Sequence, residues 1–257
     1  MSRTRYRDIF DYQPKMSKRA VLDDLRRMPY YKNYAAVSGA VHNISNHEDA
    51  VKDIFIKHGL VECPVDEKAR ITVKGGSGRE TTHYTGAVPP CHFVSQPNGK
   101  NNSPDFMVRF GCETVYKFEC KTTAKTATKP VYNSGGIKKD YIYVYSAAKP
   151  NKTTIYVGGD VCSMEQQRLI DELIQKQVEL EIEYNKKLKA VDVNKRGVSY
   201  YTRPMITQAG KKLTNYFTHP DRERCELRVY DFMNAEPQEA PEPPPQSLEE
   251  ARHCLSV

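Results

Sequence analysis

Asp105, Glu119 and Lys121 are the residues whose types and spacing best suit chemistry. They lie in the segment NNSPDFMVRFGCETVYKFECKTT, residues 101–123. Two carboxylates brought within reach of each other can share one hard cation through oxygen ligands. An ammonium beside them adds positive charge where an anionic substrate would sit. Whether the three meet depends on the strands that carry them.

Side chains alternate across a strand, so Phe106, Val108 and Phe110 share one face, opposite Asp105, Met107 and Arg109. In the next strand Tyr116, Phe118 and Cys120 share a face, opposite Val115, Lys117, Glu119 and Lys121. A hairpin about Gly111-Cys112-Glu113 that pairs Phe110 with Thr114 also pairs Val108 with Tyr116 and Phe106 with Phe118. The apolar faces then coincide, and the same register sets Asp105 opposite Glu119 with Lys121 on their face. Cross-strand Cβ atoms are about 5 Å apart, a range at which two ionised carboxylates repel unless a cation lies between them. Mg²⁺ is the expected cofactor. Such a site can activate a water, polarise a phosphoryl oxygen and stabilise the charge that builds up as a phosphodiester is attacked.

The string Pro104-Asp105, thirteen residues, then Glu119-Cys120-Lys121 resembles the PD-(D/E)xK nuclease superfamily. A second triplet, Asp66-Glu67-Lys68 preceded by Asp53, is the weaker candidate: Asp53 belongs on a helix and Asp66 follows a proline in a polar stretch. The likeness runs on through Thr122-Thr123, Lys129–Gly136 and the apolar strand Tyr141–Ser146, a layout similar to that of type II restriction endonucleases, and covers roughly residues 45–160. The resemblance implies an α/β fold in which helices flank a mixed central β-sheet, a restriction-endonuclease-like core. It implies Mg²⁺-dependent cleavage of double-stranded DNA at a short specific site, leaving 5′-phosphate and 3′-hydroxyl ends. Asp105 and Glu119 would bind the metal with the backbone carbonyl of Cys120, and Lys121 would position the attacking water. Glu48 matches a further acid that the family often takes from its core helix, although an acid in a helix's first turn also follows from the helix dipole alone.

Lys125, Lys129, Asn133 and Ser134 follow the catalytic strand, where a DNA groove is expected, and Asn can read an adenine edge bidentately. Asn133-Ser134-Gly135 reads equally well as an ordinary turn. Arg196, Tyr200, Tyr201 and Arg203 form a basic aromatic patch that suits phosphates or bases, or else lends its tyrosines to the core. Lys74 and Arg79 bracket a glycine-rich stretch that suits a DNA-clamping loop; it lacks the P-loop spacing.

The positioning elements are legible in part. Ser17–Met28 has helical spacing, and a clearer helix is capped by Asn46 and ends at His58-Gly59, with Ala50, Val51, Ile54 and Phe55 as its buried stripe. Residues 72–103 read as short strands and long loops. Asp105–Phe110, Val115–Lys121, Tyr141–Ser146 and Thr154–Val157 read as strands, 163–190 as a long helix for core or dimer contacts, Ile206–Phe217 as helical, and Glu226–Phe232 as a last strand. One domain over 1–233 is expected, followed by an acidic, proline-rich disordered tail over 234–257.

Net charge is +7, but five glutamates against Arg252 give the tail −4, leaving +11 on residues 1–233. A body so basic suits a polyanionic partner. No apolar run reaches the roughly 18 residues of a membrane span, and the N-terminus lacks a secretory signal's apolar core. The seven cysteines form no CxxC pair, which argues against a zinc ribbon or a disulfide framework, so a reduced, cytoplasmic setting is expected. Palindromic duplex sites imply a homodimer. Two other functions are compatible: a structure-specific DNA repair or junction-resolving nuclease, and a non-catalytic DNA-binding protein with a nuclease-like fold.

Overall fold

The computed structural model describes residues 17–39, 44–74, 80–124, 129–133 and 136–235, and only the backbone of Lys74 and Asn133. Its elements run α1 (Lys18–Arg27), α2 (Tyr31–Ser38), α3 (His47–Lys57), β1 (Val61–Cys63), β2 (Arg70–Lys74), β3 (Glu80–Tyr84), β4 (His92–Ser95), β5 (Phe106–Arg109), β6 (Val115–Thr123), β7 (Tyr132–Asn133), β8 (Tyr141–Ala147), β9 (Lys152–Val157), α4 (Met164–Ala190), β10 (Met205–Ile206) and α5 (Arg222–Asn234). Six strands form a mixed sheet in the order β1-β4-β5-β6-β8-β9. The β1/β4 and β6/β8 pairs are parallel and the rest antiparallel. Two small antiparallel sheets, β2/β3 and β7/β10, lie outside it. None of the described helices is long and apolar enough to cross a membrane. The tail from residue 236 lies outside the described residues.

Strand β8 shows how sequence divides the two faces. All seven of its residues are buried, as expected of a strand covered on both sides. Ile142 and Val144 turn to a core with Val21, Leu22 and Leu25 of α1, Ala50, Val51, Ile54 and Phe55 of α3, and Val229 and Met233 of α5. Tyr141, Tyr143 and Tyr145 turn the other way, into an aromatic cluster with Tyr132 and Tyr156, against which Tyr216 and Phe217 pack. Hydroxyls of Tyr132, Tyr156 and Tyr216 bond to one another at 2.7 and 3.0 Å, so these phenols are buried without losing their polar partners.

Phe55 sits at the centre of the first core, fully buried, with the rings of Phe93, Phe106 and Phe118 at 5.4–5.5 Å. It ties α3 to β4, β5 and β6. Phe55→Ala is expected to cost about 3–5 kcal/mol, read as a fall in Tm of about 10 °C. A shift of a degree or two would show that the helix is not anchored there.

Three elements differ from the sequence reading. Residues 226–232 belong to helix α5: the buried positions are Glu226, Val229 and Met233, a helical spacing, while Leu227 is half exposed. Leu227, Val229 and Phe232 mimic a short apolar strand only when that face is unknown. Ile206–Phe217 is not a helix; it holds the end of β10 and one tight turn at Lys211–Thr214. Helix α4 does form over the expected span, but it is not a core helix: Leu169 and Leu173 are exposed, and its one buried residue is Glu181. Glu181 accepts hydrogen bonds from Thr202 and so fastens the helix to the following segment.

Candidate active site

The β5/β6 register is the one that the apolar pattern requires: Phe106 pairs with Phe118 and Val108 with Tyr116, all four buried. One step further along, Asp105 stands beside Glu119. An Asp105 carboxylate oxygen accepts the backbone N–H of Cys120 at 2.6 Å. Glu119 Oε1 accepts from Lys121 Nζ at 2.6 Å, and its Oε2 is buried with no hydrogen-bond partner among the described residues. The Cys120 side chain packs into the α1/α3 core, and burial holds its thiol well above the usual range.

Glu48 comes from the first turn of α3. Asn46 caps this helix by accepting the N–H of Asp49 at 2.9 Å, and the Asp49 carboxylate returns to the Asn46 N–H at 3.1 Å, a reciprocal cap. Buried His47 fastens the same turn to the sheet: its Nε2 donates to the Val144 carbonyl of β8 at 2.9 Å, and burial pushes its pKa down to about 4, so the ring is neutral. Gln96, just after β4, donates its side-chain N–H to Glu48 at 2.8 Å. Neither His47 nor Gln96 stands out in the sequence, because their partners lie 97 and 48 residues away.

The electrostatics follow from this crowding. Asp105 is pushed up to about 8, by burial first and then by the Glu119 and Glu48 carboxylates; the Cys120 N–H and Lys121 oppose the shift. Glu119 is raised as well, by burial, with Lys121 pulling it back. Three acids thus share one partly buried spot against one close ammonium. Among the described residues, no group of three or more His, Cys, Asp or Glu side chains is placed to hold a metal ion. Mg²⁺ does not need such a group, since it commonly takes one or two carboxylates and keeps several waters. The unpartnered Glu119 oxygen and the raised Asp105 fit a hard dication, which would give that oxygen a partner and offset the cost of ionising a buried acid beside two others.

A polar cleft of ≈ 640 Å³ is lined by Ser103, two residues from Asp105 in the chain, and by Tyr141, Lys138, Asn101, Tyr201 and Arg203; the acids themselves do not line it. Tyr141 links cleft and site: its ring lies on the strand next to β6, and the Glu119 charge helps to raise its hydroxyl. Of the residues proposed from sequence to bind a polyanion, Tyr201 and Arg203 line this cleft. Arg196 does not; it is exposed in the turn beyond α4, where its backbone N–H bonds Asp192. Lys129 turns inward and gives its ammonium to the Gln208 carbonyl, tying the β7 segment to the β10 segment. Lys125, Ser134 and Arg79 lie outside the described residues, and so do the side chains of Lys74 and Asn133. The sequence does not single out Lys138; the lysine pair in GIKKDYI carries no motif.

The rival triplet resolves into structural roles. Asp53 is buried and accepts from the Tyr34 hydroxyl at 3.0 Å, Asp66 accepts the Lys68 N–H, and Glu67 grips Arg70 at 2.7 and 2.8 Å. In the Asp105 set, by contrast, Glu119 Oε2 is buried without a hydrogen-bond partner among the described residues. Comparison with protein-family models, with curated proteins and with solved structures finds no match for this chain.

Proposed function

We propose that the chain is a Mg²⁺-dependent endonuclease that cuts double-stranded DNA at a short specific site, with a restriction-endonuclease-like core. The observation that carries this reading is the convergence of Asp105, Glu119 and Lys121 on one sheet face, with the Glu48 carboxylate close to them. The +11 charge of residues 1–233 supports a polyanionic substrate. Half-exposed Leu169, Leu173 and Leu180 along α4 offer an apolar face for the two-fold dimer that a palindromic site implies.

Asp105 and Glu119 would hold the cation, which would supply charge to polarise the phosphoryl oxygen and make a nearby water more acidic. Lys121, fixed by Glu119, donates to the attacking water and to the phosphoryl oxygen that gains charge. Water adds to phosphorus, the bond to the 3′ oxygen breaks, and a proton passes to that oxygen, leaving 3′-hydroxyl and 5′-phosphate ends. Arg203, Lys138 and Tyr201 in the cleft grip the strand, through phosphate contacts and through stacking on a base.

Incubating the purified chain with plasmid DNA and Mg²⁺ should give discrete bands whose ends carry 5′-phosphates. Cutting that follows DNA structure instead of fixed positions would favour a repair or junction-resolving nuclease. Binding without cutting in either Mg²⁺ or Mn²⁺ would leave a non-catalytic DNA-binding protein.

A further inference from the structure

Gln96 has a left-handed backbone, φ +47°, at a position where nothing about its residue type favours that shape. A side chain at such a φ is strained and persists only where its surroundings over-determine it. Here they do. Its N–H donates to the Asp105 carbonyl at 2.6 Å, which continues the β4/β5 pairing up to the acidic site. Its own carbonyl accepts from Arg70 at 2.9 Å, and the next carbonyl, that of Pro97, accepts from Arg70 at 2.8 Å. Arg70 is in turn clamped by both carboxylate oxygens of Glu67. The brace aims one group, the Gln96 side-chain amide, at Glu48 Oε2.

We propose that Gln96 is a positioning residue, held in a strained conformation by the Glu67–Arg70 brace so that its amide keeps the Glu48 carboxylate turned toward Asp105 and Glu119. A neutral donor suits this task, because a lysine there would compete with a cation for the same charge. Glycine would adopt this φ without strain, so the cost of glutamine is explained by what its side chain holds. The inference rests on the metal-dependent reading above.

Gln96→Gly separates the two roles of the residue. With the strain removed and the backbone bonds kept, Tm should equal or exceed that of the wild type. Mn²⁺ binding to the full chain, measured by calorimetry without DNA, should weaken about tenfold, the usual cost of losing a group that orients a ligand. Glu48→Gln should weaken it similarly, and adding Gln96→Gly to Glu48→Gln should change nothing further. Unchanged Mn²⁺ affinity in Gln96→Gly, or a full second loss in the double variant, would overturn the inference and leave the nuclease reading standing. A wild-type chain that neither binds Mn²⁺ nor cuts DNA would overturn both.

Discussion

Lys121→Ala is expected to lower DNA cleavage on the order of 10³-fold, the size of effect that follows loss of one well-placed donor or proton-transfer group. Asp105→Asn should do at least as much. The two variants fail for different reasons. Lys121 is the ammonium within 2.6 Å of Glu119; its loss removes the donor that orients water and leaves the buried Glu119 charge uncompensated. Asn at 105 keeps the size and one acceptor oxygen for the Cys120 N–H, but it removes the negative charge that a dication needs. Both variants should still bind duplex DNA in Ca²⁺, since Arg203, Lys138 and Tyr201 lie in the cleft and not at the acids. Cleavage kinetics beside a filter-binding or fluorescence assay in Ca²⁺ separate the steps. Wild-type cutting rates in either variant would remove these residues from the mechanism.

The second large effect is on stability. Asp105 in the folded chain holds its proton up to about pH 8, whereas an aspartate in the unfolded chain releases it near pH 4. A group raised in the folded state contributes in full below its unfolded pKa, and that contribution drains away as pH climbs toward the folded value. Without divalent cations, therefore, the protein should lose on the order of 5 kcal/mol between about pH 4 and pH 8 from this site. Asp105→Asn does not titrate and should flatten that slope, so that the metal-free variant is the more stable protein at pH 8.5. Millimolar Mg²⁺ should raise the wild-type Tm more at pH 8.5 than at pH 6, because ionised acids bind it and protonated ones do not. It should do little for Asp105→Asn. Denaturation midpoints across this range, with and without Mg²⁺, measure all four cases. A slope that is the same in both proteins would mean that Asp105 is not strained by its neighbours.

What the sequence by itself determined is what repeats at short range. The alternation of Phe106-Met107-Val108 and Tyr116-Lys117-Phe118 allows one register in which both apolar faces are buried, and a slip of one residue would turn every phenylalanine to the wrong side. The meeting of Asp105 with Glu119 is a by-product of that constraint, which is why it was legible before any coordinates. The Asn46 cap and the buried stripe of α3 follow from the same kind of local rule.

The tertiary structure decided everything that depends on which surface comes to lie against which. Residues 226–232 carry a pattern short enough to suit strand or helix, and contact with β9 and α1 selects the helix that buries Val229 and Met233. Helix α4 has leucines at core-like spacing, yet among the described residues no layer covers Leu169, Leu173 or Leu180. Lys129 was basic in the right stretch of sequence, but the neighbouring segment claims its ammonium. The support of Glu48 comes from three distant pieces: His47 on the Val144 carbonyl, Gln96 beyond β4, and Arg70 behind it. These are single hydrogen bonds between segments far apart in the chain. They leave no periodic trace, because nothing in a repeating pattern of polar and apolar residues encodes one amide reaching one carboxylate.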